Sequence, residues 1–566
     1  MLKKLGLFAV LAAFVLGAAV GVLQFQAPEA PSVEETAPTP LEQAPAGLDF
    51  QRMLYDLRVL SRSVRAAGSP ALREAHRYIT QRLTDLGIPY QEEPFYLTEA
   101  NIRALWDAYV SGEDRWQTIW DSIQRNTPGS GLALNNIVVH LDAPGTDEAI
   151  LFVAHTDSVA AGPGAFDDAV SVVALLESLR VLDRDALKRD IIVLFSDGEE
   201  KGMMGAACHV LRHRETLADI QLVINLDARG NDGALIMFET SSNNLSLVRE
   251  YAKALPWAAT TSIATGVYRA MSNDTDLSVF LRAGLPGMNF AVIGGEHVYH
   301  NAKDNYDTFS RDSAYQFMTT ADALMRHFGA SEQLHLTDSQ DGVFFPWMPG
   351  RIFVMPQPVA DALAYAAALL YVLALAWLLA KRQASVRGMA LAFLVQAALA
   401  AAAWFASQAV ADWSIRGAPY YQTWGYENRN LIFPALLLIW LGMPMIILPR
   451  LPMKPADRLL GTLLPLAALS AALPTFFPAG SYLMSLPALL GLAVLLYSQL
   501  IIRGSLLACA LAIFAALVVA APIAYLLFIA LSYRNMAIPM ALAAVLFSAM
   551  AGWVSAAWQA KARSHR

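Results

Sequence analysis

The 566-residue sequence predicts an α/β domain with a mostly parallel central sheet covered by helices, followed by an all-α multi-span transmembrane domain. Three observations predict it. Between about residues 50 and 335, short β-branched runs alternate with helical patterns. Beyond Pro356, apolar runs long enough to cross a bilayer follow one another. The charge divides at the same place. Residues 357–566 hold 13 Lys and Arg against 4 Asp and Glu, a net of +9. The remaining 28 and 44 give residues 1–356 a net of −16, and the two add to −7. An ordinary soluble domain is about 45–50% apolar and roughly 25% charged; this chain is 56% and 16%. An acidic front and a charge-starved rear exclude a nucleic-acid binder built on a basic face. With only Cys208 and Cys509, a small disulfide scaffold is excluded too.

At the N-terminus, Lys3 and Lys4 precede an apolar run from Leu5 to about Phe25. A cleaved signal has an apolar core of about 7–15 residues. This run is long enough for the ~30 Å hydrocarbon layer, so residues 1–26 read as a signal anchor, although the alanines at 27 and 30 also offer a cleavage site. Residues 27–47 are rich in Pro, Ala and Glu without apolar periodicity and read as a linker. The front domain is then expected over 48–340, a second linker over 341–358, a membrane domain over 359–560 and a tail over 561–566.

Seven apolar runs fall near 359–380, 388–411, 430–449, 459–477, 482–502, 504–531 and 536–558. Charge placement bears on their direction. With the front domain outside, ten cations fall inside: Lys381, Arg382, Arg387, Arg450, Lys454, Arg458, Arg503, Lys561, Arg563 and Arg566. Only Arg416, Arg429 and Arg534 fall outside. This asymmetry is what the positive-inside rule asks for. The expectation is an integral membrane protein, of a bacterial inner membrane, with both termini cytoplasmic and the front domain periplasmic. Ionisable groups inside the spans are scarce, Asp361 sitting at an edge. Transport and proton relay usually need such groups, so the rear half reads as an anchor or helical platform.

In the front domain, helices are expected at 50–66, 71–86, 168–182, 203–215, 243–254, 275–283 and 310–328. The second follows Ser69-Pro70, a capping residue with proline in the first turn. Strands are expected at 135–141, 149–154, 190–196, 221–226 and 288–292. In such sheets ligands bind beyond the carboxyl ends of the strands. The residues that follow those ends are His155 and Asp157, then Asp197, Glu199 and Glu200, then Asp227. Asp167 and Asp168 open a helix, and His300 lies in the loop before the last one.

Taken singly, each is an ordinary cap, turn or solvated loop residue. Gathered at one sheet edge, the anions would repel, and cations would resolve the repulsion. Two imidazoles and three carboxylates suit two divalent ions sharing one carboxylate, with zinc favoured by the donor types. Such a pair polarises a carbonyl and activates a bridging water. A further carboxylate that does not ligate then moves the proton. The adjacent Glu199 and Glu200 offer one of each kind.

At these residues the chain resembles the M28 family of di-zinc metallopeptidases over about 50–330. The resemblance rests on His155-Thr-Asp157, Gly164-Ala-Phe-Asp167-Asp168, Gly198-Glu199-Glu200-Lys-Gly202, Asn225-Leu-Asp227 and Tyr299-His300-Asn-Ala-Lys-Asp304-Asn, in that order. It implies two zinc ions per chain, with Asp167 bridging, His155 and Asp227 on one ion, and Glu200 and His300 on the other. It implies Glu199 as general base and Asp157 as the carboxylate that orients His155. The family's helix opening commonly continues Ser-Gly where this chain has Ala169-Val170-Ser171, and its loop His is usually followed by Thr where this chain has Asn301. His297 is a rival to His300, which is preferred because Asp304 stands four residues on; Asp276 receives no role.

The layout of anchor, domain and spans is similar to the membrane-anchored endoplasmic-reticulum metallopeptidase and vacuolar membrane protease type. The resemblance thus implies a membrane-anchored zinc aminopeptidase acting on peptides beside a lipid bilayer, with no nucleic-acid partner and the oligomeric state left open. The alternatives are a one-zinc glutaminyl-cyclase-like enzyme and a non-catalytic peptide-binding membrane subunit.

Overall fold

In the computed structural model, the described residues are all but 1, 34–40, 42–43, 111–114, 127–128, 130, 272, 501–504 and 564–566. The expected inner cations Arg503 and Arg566 lie outside them, as does part of the 27–47 linker. The chain forms two compact units: Gln26–Asp341, and Met1–Phe25 with Gly342–Arg566.

The front unit is built on a seven-stranded sheet: β1 Tyr90–Leu97, β2 Leu132–Leu141, β3 Ala149–His155, β4 Asp190–Ser196, β5 Ile220–Ala228, β6 Asp232–Thr240 and β7 Gly287–Gly294. Their order across the sheet is β1-β2-β4-β3-β5-β7-β6. The central β4, β3, β5 and β7 are mutually parallel, whereas β1, β2 and β6 join antiparallel at the edges. β3 is buried along its whole length. Its uninterrupted apolar run is what a strand covered on both faces needs. In the centre, His155 pairs in register with Ser196, and Asp227 with Ala291. The carboxyl ends of the parallel strands therefore finish side by side.

Local sequence explains most boundaries. Ser69 caps Pro70–Asp85 by accepting from the Leu72 N–H at 3.1 Å. Asp49 caps Phe50–Leu60 in the same way through Arg52. That helix stops six residues before the expected 66, for a tertiary reason. Beyond it, the Arg65 backbone is tied to Ser158, three residues past His155: its N–H donates to Ser158 Oγ (3.0 Å), and its carbonyl accepts the Ser158 N–H (3.1 Å). The expected 168–182 helix divides into a wide turn, Ala165–Ala169, with non-helical torsions at Asp167 and Asp168, and a regular helix, Val170–Val181. Two strands go beyond the sequence reading. β1 (YQEEPFYL) carries charge and a proline, which an edge tolerates, and β6 closes the other edge.

Among the described residues of the rear unit, seven helices are long and apolar enough to cross a membrane: Gln357–Ala380, Val386–Ser414, Arg429–Arg450, Pro455–Phe476, Pro478–Gln499, Leu506–Ala530 and Tyr533–Trp558. Each overlaps one expected run. The segment 341–358, expected as a linker, instead holds a two-stranded antiparallel hairpin, β8 Gly342–Met348 and β9 Arg351–Pro356. Two short runs of β-branched and aromatic residues on either side of Pro349-Gly350 make a hairpin pattern hidden by the adjoining apolar span.

The N-terminal helix Leu2–Leu23, expected as a separate anchor, is part of this unit and packs along Ser505–Ala530. Gly17 and Gly21 permit the approach. A Cβ at Gly17 would stand 2.9 Å from Leu517 Cβ, and one at Gly21 2.6 Å from Ala521 Cβ. Small residues four apart let apolar helices touch where no hydrophobic force distinguishes helix from lipid. Valine at both positions should cost about 1–3 kcal/mol by overpacking, read as a lower melting temperature of the detergent-solubilised chain. Leucine at exposed Val15 should leave it unchanged.

Candidate metal centre at the strand ends

The parallel register gathers the candidate residues into two overlapping clusters. His155, Asp167 and Asp227 form one, and Asp167, Glu200 and His300 the other; within each, one ligand atom per residue lies within 4.8 Å of the others. Asp167 is common to both, and its two oxygens divide between them. Oδ1 is 3.0 Å from His155 Nε2, and Oδ2 is 3.2 Å from His300 Nε2. Asp227 Oδ1 lies 3.9 Å from His155 Nε2, and Glu200 Oε1 lies 3.3 Å from His300 Nε2. Glu200 Oε1 is buried and accepts no hydrogen bond.

Most of these side chains are held by groups behind them. His155 Nδ1 hydrogen-bonds the Asp157 backbone carbonyl (3.1 Å), with the Asp157 carboxylate at 3.6 Å. That carboxylate does more elsewhere: it accepts the N–H groups of Gly198 (3.0 Å), Glu199 (3.1 Å) and Glu200 (3.3 Å). It therefore fixes the short turn Glu199–Lys201 that carries both glutamates. Asp168 turns away from Asp167, accepts the His155 N–H (3.1 Å) and takes a short bond from Ser171. Ser171, one of the departures from the family pattern, thereby holds the carboxylate that holds His155. Asp304 accepts the N–H groups of Phe166 (2.8 Å) and Asp167 (3.0 Å). The Tyr299 ring stacks on His300 at 3.8 Å.

Of the residues at the strand ends, Asp197 is not gathered in; its carboxylate accepts the Asn135 N–H (2.9 Å). Asn301 ties its own loop, its amide donating to the His297 carbonyl (2.8 Å). Asp276, to which the sequence assigned no role, lies buried behind the site and takes a short bond from Ser196. Arg65 and His76 escaped the sequence reading. The buried Arg65 guanidinium donates to the carbonyls of Leu60, Thr156, Pro163 and Gly164. His76 Nε2 is 2.9 Å from Thr156 Oγ1. Neither lies in a motif or beyond a strand, so only the folded chain brings them here.

The electrostatics are those of crowded anions. Burial, reinforced by the charge of Asp167, pushes Asp227 up to about 7. Burial likewise pushes Asp276 and Asp304 up to about 6, and lifts Glu199 well above its usual range. Against its burial, hydrogen bonds from both imidazoles hold Asp167 at about 2. Against its burial, contacts with Asp167 and Glu200 raise His300 to about 10. Buried carboxylates and imidazoles with an unsatisfied oxygen suit a pair of divalent ions, and the donors match zinc.

Residues 136–325 match the profile of peptidase family M28. Those residues, within the mixed α/β front unit, thus form a peptidase M28 domain. The chain is 30% identical over 241 residues to endoplasmic reticulum metallopeptidase 1 of Homo sapiens, a match that covers 41% of this chain and 26% of that protein. It is 29% identical over 224 residues to the vacuolar membrane protease of Saccharomyces cerevisiae strain RM11-1a, covering 39% and 22%. The matches span about a quarter of these relatives' length. Among solved structures, the aminopeptidase from Aneurinibacillus sp. strain AM-1 aligns at 17% identity with a TM-score of 0.39, covering 51% of this chain and 96% of that one.

With chelator present, the melting temperature of the full chain should fall as pH rises from about 4 to about 7. In that window folded Asp227, Asp276 and Asp304 keep protons that the unfolded chain, with carboxyls near 3.8, has lost. Stability falls with pH wherever the folded state binds more protons. Asp167 acts below that window, and the His300 contribution, complete below 6.5, is lost above it. A rise over the same range measured by calorimetry would contradict this picture of the site.

Proposed function

We propose that the chain is a membrane-anchored, zinc-dependent aminopeptidase that hydrolyses N-terminal peptide bonds, with its front unit on the extracytoplasmic side. The observation that carries the reading is the division of Asp167, one oxygen toward the His155 cluster and one toward the His300 cluster. His155 and Asp227 would hold one ion, Glu200 and His300 the other, and Asp167 both. The chemistry such a pair supplies when bound is Lewis-acid polarisation of a carbonyl and a lowered pKa for the attacking water.

The rest falls to the chain's own groups. Glu199 follows Gly198 in the turn pinned by Asp157, and its neighbour Glu200 faces His300. Adjacent side chains diverge, so Glu199 is free to accept a proton from water and return it to the leaving amine. The environment that lifts its pKa supports that task, because a carboxylate poised nearer neutrality both takes and gives a proton. Asp157 acts as a positioning residue, through its carbonyl on His155 and its carboxylate on the glutamate turn.

Replacing Glu199 with Gln should lower turnover of aminoacyl substrates by about 10²–10⁴-fold while zinc content, measured by mass spectrometry, stays at the parent value. Asp167→Ala should lose both ions. Retention of both would remove Asp167 from the bridging role, and loss of zinc in Glu199→Gln would move Glu199 into the ligand set. Orientation has its own test. A cysteine at Gln383 should resist a membrane-impermeant thiol reagent in sealed cells, while one at Gly417 should react; the reverse pattern would invert the chain.

A further inference from the structure

A second imidazole–carboxylate cluster lies away from the strand ends, in a part of the front unit that the proposed reaction does not use. Glu93 stands on the edge strand β1, and His209 and His213 stand one helical turn apart at the end of Met204–Arg212. That spacing puts both imidazoles on one helix face, and the carboxylate meets them from a different element. Glu93 Oε2 is 3.1 Å from His209 Nδ1, and Oε1 is 2.5 Å from His213 Nε2. One ligand atom from each of the three lies within 4.8 Å of the others.

Glu93 is 4% exposed and His209 3%. The His213 side chain is 34% exposed, so the cluster is closed on the protein side and open on one other. It opens into a groove of about 500 Å3 whose wall also carries Asp142, Asp147, Asp190 and Asp219. Acids lining a concave surface concentrate cations there.

We propose that Glu93, His209 and His213 bind a zinc ion, distinct from any at the strand ends, that staples β1 to the helix Met204–Arg212. Two imidazoles, a carboxylate and a water from the groove make a four-coordinate zinc set. Bonds near 2.0–2.1 Å place tetrahedral donors roughly 3.3 Å apart, so the present contacts of 3.1 and 2.5 Å need open by less than an ångström. The stapled helix begins four residues after Glu200, with Met204 N–H donating to the Gly198 carbonyl at 3.0 Å. An ion here therefore fixes the helix against which the Glu199–Lys201 turn rests.

The test uses the full chain in detergent, loaded with Zn2+ alone and washed, in the Asp167→Ala background. His213→Ala and, separately, Glu93→Gln should each lower zinc content by one ion per chain. Each should also abolish the zinc-dependent rise in melting temperature and the intense visible absorption of tetrahedral Co2+ substituted for zinc. His213 ends its helix and is part-exposed, and Glu93→Gln keeps the shape of its side chain, so metal-free melting temperatures near the parent's certify folding. Equal zinc content in parent and both variants, or a zinc-dependent stabilisation that survives both, overturns the site and leaves a hydrogen-bonded cluster only. The readout is a difference of one ion between chains. It stands whatever the strand-end site holds, and failure of the aminopeptidase reading leaves it intact.

Discussion

A single buried carboxylate, Asp167, faces two imidazoles at once, and the neighbouring structure is arranged so that it can. Its oxygens are spoken for by His155 and His300, and its backbone N–H by Asp304. Asp168 must turn the opposite way, where it accepts the His155 N–H. The wide turn at Ala165–Ala169 follows from these demands, because a regular helix would send two adjacent side chains about 100° apart along one surface and could not satisfy both. The candidate chemistry thus depends on a local departure from regular helix, held in place by the end of β3 and by the loop that carries His300 and Asp304.

Gathering Asp157, Asp167, Asp168, Glu199, Glu200, Asp227, Asp276 and Asp304 around one site opposes folding, since burial disfavours a charged carboxylate. The fold offsets this with hydrogen bonds rather than with exposed ion pairs. Asp157 accepts three backbone N–H groups and Asp304 two. Arg65 brings a buried positive charge beneath them, its fork satisfied by carbonyls, so that the field of Asp304, Asp157, Asp168 and Asp167 acts on it without a direct pair. Carboxylates so held are rigid, and rigidity at this edge is what a pair of ligand clusters requires.

The rear unit follows a different economy of forces. Its helices carry few charges, and some of its buried polar groups reach a partner across a helix pair. The Gln396 amide donates to the carbonyls of Thr462 and Val545, and Trp440 donates to Ser407. Asp457 accepts at the start of Val386–Ser414 through Ser385. Close approach through Gly17 and Gly21 brings the first helix into this unit although more than 300 residues separate it from the rest.

Residue order alone settled a good deal. The apolar runs are long and uninterrupted enough to mark each rear helix, since crossing hydrocarbon demands internal backbone bonding over a stated length. The buried strands β3, β4, β5 and β7 were readable because a strand covered on both faces must be apolar throughout, and the polar residues after them followed from that. Edge elements were not readable: β1 is as polar as a loop, and the β8–β9 hairpin merges into the span that follows it. Nor could order alone show what Asp157 and Arg65 do, or that Glu93 meets His209 and His213. These depend on where separate segments arrive in space, and a carboxylate's partner is chosen by distance after folding, which spacing along a chain does not encode.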